Sequence, residues 1–286
     1  MRAIEVTETV REALAEARDV LRVAGVADAR RELLQLWSAV TGSDLSVDLL
    51  RGDLPADPVA LARLGELVTR RAGGEPLAYV TGSVGFRHLS LISDRRALIP
   101  RPESEGLVEV ALQCTRTGVV ADVGTGSGAI ALSLRHEGEF SEVIGTDLSP
   151  VALELAALNG GRTGLSVTWL EGDLLAPLAG RRVDLLVSNP PYLTEAEYLT
   201  CDRSVRDYEP RSALVSGHDG MLATSRLLVD GLQVVVPGGW IAMEVDCSRA
   251  EMVARLAEEL GWVGINVLHD LFGRARYVRA QPRKTR

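Results

Sequence analysis

From about Thr9 to Arg71, apolar residues recur at three- and four-residue steps, the period of helices with one buried face. Val10, Leu14, Ala17, Leu21 and Ala24 predict a first helix, stopped by Gly25. Leu33, Leu34, Leu36 and Trp37 predict a second, ended by Gly42. Asp57-Pro58 opens a third, carrying Leu61, Leu64, Leu67 and Val68. Charged residues fill the other faces. The pattern describes a small helical bundle, equally readable as a packing module or as one that recognises a macromolecular partner.

The texture then changes. Short alternating segments at Leu89–Ile92 and Ala97–Ile99 predict a β-hairpin linker. Ile99-Pro-Arg-Pro-Glu-Ser-Glu105 leads into a helix through Leu107, Val108, Val110 and Ala111. Glu103 and Glu105 suit the positive end of the helix dipole, while the stiff Pro-Arg-Pro entry favours a site-lining role for Arg101. Beyond this point strands and helices alternate, the pattern of an α/β domain with a mainly parallel sheet. Strands are predicted at Gly118–Asp122, Glu142–Asp147, Val167–Asp173, Val183–Ser188 and Trp240–Val245, with Val263–Leu268 and Arg276–Arg279 as a closing antiparallel pair. Helices are predicted from Ala129, from Pro150 behind a Ser149 cap, over Leu222–Val234 and over Ala250–Leu260. The tail from Gln281 is expected to fray. The domains read as 1–78, a helical bundle; 79–104, a hairpin linker; and 105–286, the α/β domain.

Composition narrows the class. A chain of 286 residues, 46% of them hydrophobic, suffices for one large core or two modest ones. A formal net charge of −8 argues against a dedicated nucleic-acid binder, so no stable nucleic-acid binding is expected. Cys114, Cys201 and Cys247 lie far apart, and His88, His136, His218 and His269 are scattered. Neither a disulfide scaffold nor a metal site is expected, and a reducing cytoplasm fits. No apolar run reaches membrane length and the N-terminus lacks a signal pattern. A cytoplasmic monomer is the expectation.

Candidate chemistry lies at the predicted strand ends. Asp122-x-Gly-x-Gly-x-Gly128, with Thr125 and Ser127 between the glycines, is a turn that lets a ligand approach the backbone closely. It departs from the full dinucleotide fingerprint. Asp147 ends the next strand, with Leu148 after it, where an acid bonds ribose hydroxyls. Asp173 follows the third strand, placed to reach an adenine edge, with Leu174 beside it. After the fourth comes Asn189-Pro-Pro-Tyr192. Pro190 and Pro191 fix φ and end the strand, so the Asn amide is held rigidly. A hydride enzyme has no evident use for that clamp, whereas methyl transfer to a planar NH₂ does. The Asn189 side-chain oxygen and the Pro190 carbonyl can accept its two N–H groups, and Tyr192 can pack on its plane.

Taken together, these residues resemble the HemK/PrmC-type glutamine-N5 methyltransferases that modify peptide-chain release factors. The resemblance rests on Arg70-Arg-Ala-x-Gly-Glu-Pro-Leu-Ala-Tyr79, Leu98-Ile-Pro-Arg-Pro-Glu-Ser-Glu105, Asp122-Val-Gly-Thr-Gly-Ser-Gly128, Asn189-Pro-Pro-Tyr192, Tyr208-Glu-Pro-Arg-x-Ala-Leu214 and Gly217-x-Asp-Gly220. It implies a Rossmann-like class I S-adenosylmethionine-dependent methyltransferase with a seven-stranded, mainly parallel sheet. It assigns Gly124–Gly128, Asp147 and Asp173–Leu174 to S-adenosylmethionine, and Asn189, Pro190, Pro191 and Tyr192 to the substrate amide, with Arg101 and Glu103 beside it. The partner implied is a release factor, whose Gly-Gly-Gln loop presents the glutamine. The chain departs from the family at Ser104, where Thr is usual, and at Leu174, where some members carry an aromatic. Two further departures are Arg87, where a glycine usually follows the Phe, and Glu244-Val-Asp-Cys-Ser248, which lacks the usual Gly and Gln. The Asn-Pro-Pro-Tyr signal alone is shared with DNA amino-methyltransferases. A nucleic-acid amino-methyltransferase, a paralogue with another substrate and a ligand-binding regulator on a retired methyltransferase fold remain the alternatives.

Overall fold

A computed structural model describes residues 9–42 and 57–283. The chain divides into two compact units. The first ends at Gly82 and also includes Arg203–Tyr208; the second holds Ser83–Asp202 and the chain from Glu209.

In the first unit, α1 (Val10–Val23) begins at Thr9. The Thr9 hydroxyl accepts the Glu12 N–H at 3.3 Å and the Glu12 carboxylate accepts the Thr9 N–H at 3.0 Å, a reciprocal cap worth about 1 kcal/mol. α2 (Ala29–Thr41) ends where Gly42 turns left-handed at φ 68°. α3 (Pro58–Ala72) starts from an Asp57 cap with Pro58 in its first turn. Leu14, Ala17, Leu21, Leu33, Leu36, Trp37, Leu64 and Val68 form the core, with Leu34, Leu61 and Leu67 packed at its margin. Ala24 is exposed and caps α1 instead of continuing its stripe. A short helix α4 (Leu77–Thr81) and a helical turn at Arg203–Arg206 complete the unit. The Tyr208 hydroxyl donates to the Gly73 carbonyl at 3.3 Å.

The second unit opens with a hairpin, β1 (Ser83–Phe86) against β2 (Leu89–Ile92). This corrects the expected pairing of Leu89–Ile92 with Ala97–Ile99. The turn is Arg87-His88, and after Ile92 the chain leaves the strand because the Asp94 carboxylate accepts the Arg96 N–H and guanidinium at 2.7–3.2 Å. The seven-stranded sheet comprises β3 (Thr117–Val123), β4 (Glu139–Asp147), β5 (Thr168–Glu171), β6 (Val183–Ser188), β7 (Val235–Glu244), β8 (Trp262–His269) and β9 (Ala275–Pro282). Their order is β5-β4-β3-β6-β7-β9-β8, all parallel except β9, which runs antiparallel to both neighbours. Gln281 and Pro282, expected to fray, pair with Val263 and Trp262; the last three residues lie outside those described.

Alternation along the strands feeds two cores. Leu185 and Val187 pack with α5 (Pro102–Cys114) and α6 (Ala129–Glu137) through Leu107, Val108 and Leu132. Leu186, between them, joins Leu227, Leu228 and Trp262 on the opposite face. Both cores are fully desolvated at their centres, so truncating Leu185 or Leu186 to Ala should cost about 2–5 kcal/mol. The register then fixes the site. Val123 pairs with Thr146 on one side and Ser188 on the other, and Ser188 pairs with Met243. The next residue of each strand or loop, namely Gly124, Asp147, Asn189 and Glu244, therefore stands in one row at the carboxyl edge. That edge is where the strand order reverses and where open α/β sheets bind ligands.

Arg87 occupies the turn at φ 49°, a conformation that favours glycine. Its backbone N–H donates to the Glu105 carboxylate at 3.0 Å, and its guanidinium pairs with Glu137 at 2.5 Å. These bonds hold an ordinary residue in a left-handed position. Arg87→Ala keeps the strain and loses the pair, so denaturant unfolding should register a loss of about 2–4 kcal/mol. Arg87→Gly, relieved of the strain, should recover about 1 kcal/mol of that.

Candidate active site

The glycine turn follows β3. Gly124 and Gly126 lie at φ 73° and 55°, and the Gly124 and Thr125 N–H groups both donate to the Thr146 carbonyl at 2.8 and 2.9 Å. A Cβ on Gly124 would meet nothing, and one on Gly126 only the Ala97 methyl at 3.8 Å, so both face open space. Gly128 differs: a Cβ there would press on the Trp169 ring at 2.9 Å, so its role is packing. The Gly126 N–H donates to Asp147 Oδ2 at 2.8 Å and the Ser149 N–H to Oδ1 at 2.9 Å. Ser149 also caps the following helix, α7 (Pro150–Thr163), with Pro150 in its first turn. Burial still pushes the Asp147 carboxyl up, with these N–H groups opposing it.

A cavity of about 440 Å³ opens over this edge, within the range of small-molecule sites. Of the residues singled out from sequence, Gly124, Gly126, Asp147, Leu148, Asp173, Leu174, Asn189 and Pro191 line it. Asp173 pairs with Arg226, another lining residue, at 2.8 Å. Leu174 sits at φ 49° with its carbonyl accepting the Thr146 hydroxyl at 3.1 Å.

The others serve from behind. Asp122 is fully buried, and its Oδ2 accepts the Thr125 hydroxyl at 2.6 Å and the Ala131 N–H at 3.1 Å. It therefore ties the turn to α6. Thr125 and Ser127 are buried beneath the same turn, and Pro190 is buried after β6. Arg101 pairs with Glu209 at 2.5 Å and Glu103 with Arg274 at 3.0 Å, and neither lines the cavity. Tyr192 is also set back, its hydroxyl 3.4 Å from Glu244 Oε1. Burial, with the Glu244 charge second, holds its phenol well above the usual range.

Four residues to which the sequence alone assigns no role shape the site. Buried Glu209 accepts the Ile99 N–H at 3.0 Å as well as Arg101, pinning the Pro-Arg-Pro entry. Asn159, also buried, brackets Ile92 through its N–H (2.7 Å) and carbonyl (3.2 Å) and donates to the Ser127 carbonyl at 3.0 Å. Ser104 accepts the Asn189 side-chain N–H at 2.9 Å and donates to Glu244 Oε2 at 2.7 Å. Glu209 and Ser104 had a signal, their places in the Tyr208–Arg211 and Leu98–Glu105 blocks, and Glu244 stands out as a departure from the family; Asn159 is a polar residue inside an otherwise apolar helix pattern. Beyond Tyr192 the chain is locked by Leu193, which exchanges backbone hydrogen bonds with Leu214 and Ser216, and by Arg249, which donates to the Tyr192 carbonyl at 3.3 Å.

The Asp122 carboxyl, desolvated and with Oδ1 unpartnered among the described residues, is pushed from 3.8 up to about 7; Thr125 and Ala131 oppose the shift. The native state thus binds the proton more tightly than the unfolded chain. Its contribution to stability is present below the ordinary value and is lost as pH rises towards 7, by an amount on the order of 4 kcal/mol. Asp122→Asn should flatten that slope, as unfolding midpoints at about pH 5 and about pH 8 will register.

The chain is similar to known proteins along most of its length. The model of the PrmC N-terminal domain matches residues 12–82, and that of the methyltransferase small domain matches residues 103–206. The release factor glutamine methyltransferase of Deinococcus radiodurans is 41% identical over 275 residues, covering 95% of this chain and 98% of that one. The one of Geobacter sulfurreducens is 39% identical, covering 94% and 95%. Among solved structures, a methyltransferase from Pyrococcus furiosus shares the fold at TM-score 0.52 and 19% identity, over 68% of this chain and 89% of its own.

Proposed function

The chain belongs to the release factor glutamine methyltransferase family, and from that premise we propose that it methylates the side-chain amide nitrogen of a glutamine in a peptide-chain release factor, with S-adenosylmethionine as donor. The residues suit that donor. Gly124 and Gly126 leave backbone exposed where a side chain would intrude, and Asp147 and Asp173 offer carboxylates along the same cavity. When bound, S-adenosylmethionine supplies an electrophilic methyl group on a sulfonium.

The observation that carries the reading is the orientation of Asn189. Its NH₂ end is engaged by Ser104, so Oδ1 is the end left for a ligand, and the residue lines the cavity. A glutamine amide nitrogen is a weak nucleophile because its lone pair is delocalised into the carbonyl. Asn189 Oδ1 and the Pro190 carbonyl would accept its two N–H groups, hold the nitrogen for in-line attack and stabilise the positive charge that grows on it. Both acceptors are rigid, since Pro190 and Pro191 restrict the backbone and Leu193 and Arg249 lock the chain beyond Tyr192. No side-chain base is required: the methylated nitrogen becomes acidic enough to lose its proton to water. Tyr192 supports the clamp through Glu244, and Arg101 and Glu103 brace the chain behind the site through their ion pairs. The glutamine would belong to the release factor's Gly-Gly-Gln loop.

Incubation of the protein with labelled S-adenosylmethionine and a release factor, then mass spectrometric mapping, should locate one methyl on the loop glutamine. Asn189→Ala should lower turnover about 10²–10³-fold while leaving the unfolding midpoint nearly unchanged. Near wild-type turnover by that variant would remove Asn189 from the mechanism.

A further inference from the structure

The Asn189 amide has two ends of opposite polarity and nearly equal shape. Rotated by half a turn, it would present an NH₂ where the reaction needs an acceptor. The proline pair fixes the backbone but does nothing to choose between the two orientations. Something else must.

The register of the sheet supplies it. Glu244 ends β7 one residue after the Met243–Ser188 pair, beside Asn189, and is 1% exposed. Ser104, also buried, lies in the first turn of α5. The Ser104 hydroxyl donates to Glu244 Oε2 at 2.7 Å, and its oxygen accepts the Asn189 N–H at 2.9 Å. A hydroxyl has one proton. Once that proton is committed to the carboxylate, Ser104 can only accept from Asn189, and Asn189 can only offer its NH₂. We infer that Ser104 and Glu244 are positioning residues for methyl transfer, a relay in which a buried carboxylate, acting through one hydroxyl, sets the orientation of the substrate-binding amide.

Other groups around Glu244 fit the role. The Tyr192 hydroxyl approaches Oε1 at 3.4 Å, on the side away from Ser104. Burial pushes the Glu244 carboxyl up and the Glu103 charge adds to it, while the Ser104 hydroxyl, the Arg276 charge and the Tyr192 hydroxyl favour the ionised, acceptor-only form. A buried charge without a substrate contact is costly to a fold. Here it confers direction on a polar group two links away. The inference rests on the reading of Asn189 as the amide-binding residue.

The test is steady-state kinetics with a release factor, alongside calorimetric titration of S-adenosylmethionine into each variant. Ser104→Ala frees the amide to rotate and should lower kcat about 10–100-fold, with cofactor affinity within about threefold of wild type. Ser104→Thr, which keeps the hydroxyl, should restore most of the rate. Glu244→Gln keeps the shape but can donate as well as accept, so it should lower kcat to a similar extent. The double variant Ser104→Ala/Glu244→Gln should be no slower than the worse single one, because both remove the same constraint. Full activity in Ser104→Ala while Asn189→Ala is inactive would overturn the relay and leave the reading of Asn189 standing. Full activity in Asn189→Ala would overturn that reading itself. A Ser104→Ala variant that loses cofactor affinity in proportion to kcat, or that Thr does not rescue, would assign Ser104 a structural role only.

Discussion

Parallel strands that end at one level are the constraint on which the site depends. A parallel ladder fixes which residue stands beside which, and a slip of one residue would turn every side chain to the opposite face. With Val123 set against Thr146 and Ser188, and Ser188 against Met243, the positions just beyond are fixed as well. The two fully desolvated cores, with Leu185 and Leu186 facing opposite ways, enforce that register far more strongly than any contact in the cavity could. The cavity is lined by loops that the sheet holds in line.

Buried acids reinforce those loops in a repeated way. Asp122 holds the glycine turn to α6, Glu209 holds the entry to α5, and Glu244 holds Ser104. Each accepts from a backbone N–H or a hydroxyl that would otherwise be unsatisfied, at the cost of its own desolvation. This arrangement trades stability for definition of shape. It also explains why so much polar chemistry lies under the cavity floor: residues touching a ligand need rigid supports, and rigidity at a loop comes from such bonds.

Much of this architecture was legible in the sequence because the apolar periods are clean. Val183–Ser188, Leu222–Val234 and Ala250–Leu260 run between the very residues the pattern indicated. The strand-end motifs were legible too, since glycines at left-handed positions and a proline pair are local signals. The hairpin departs from expectation because Ala97–Ile99 alternates like a strand, whereas the turn formed by Asp94 and Arg96 depends on side-chain bonds that no period encodes. The bonds of Asn159, Ser104 and Glu244 were not legible for a related reason. Their partners lie 67, 85 and 140 positions away along the chain, and only the folded sheet brings them together.

The first unit takes its last piece, Arg203–Tyr208, from chain that comes after β6, and Tyr208 closes on the Gly73 carbonyl there. A ribosome releases the α1–α3 bundle early, before any of the sheet has been made. That bundle can collapse on its own apolar faces, but it reaches its full set of contacts only after β3 to β6, the glycine turn and the Asn189 corner have been synthesised. The order of synthesis therefore leaves the helical unit unfinished until four of the seven sheet strands have been made, so a nascent protein cut short before residue 203 carries an incomplete helical unit as well as a partial sheet.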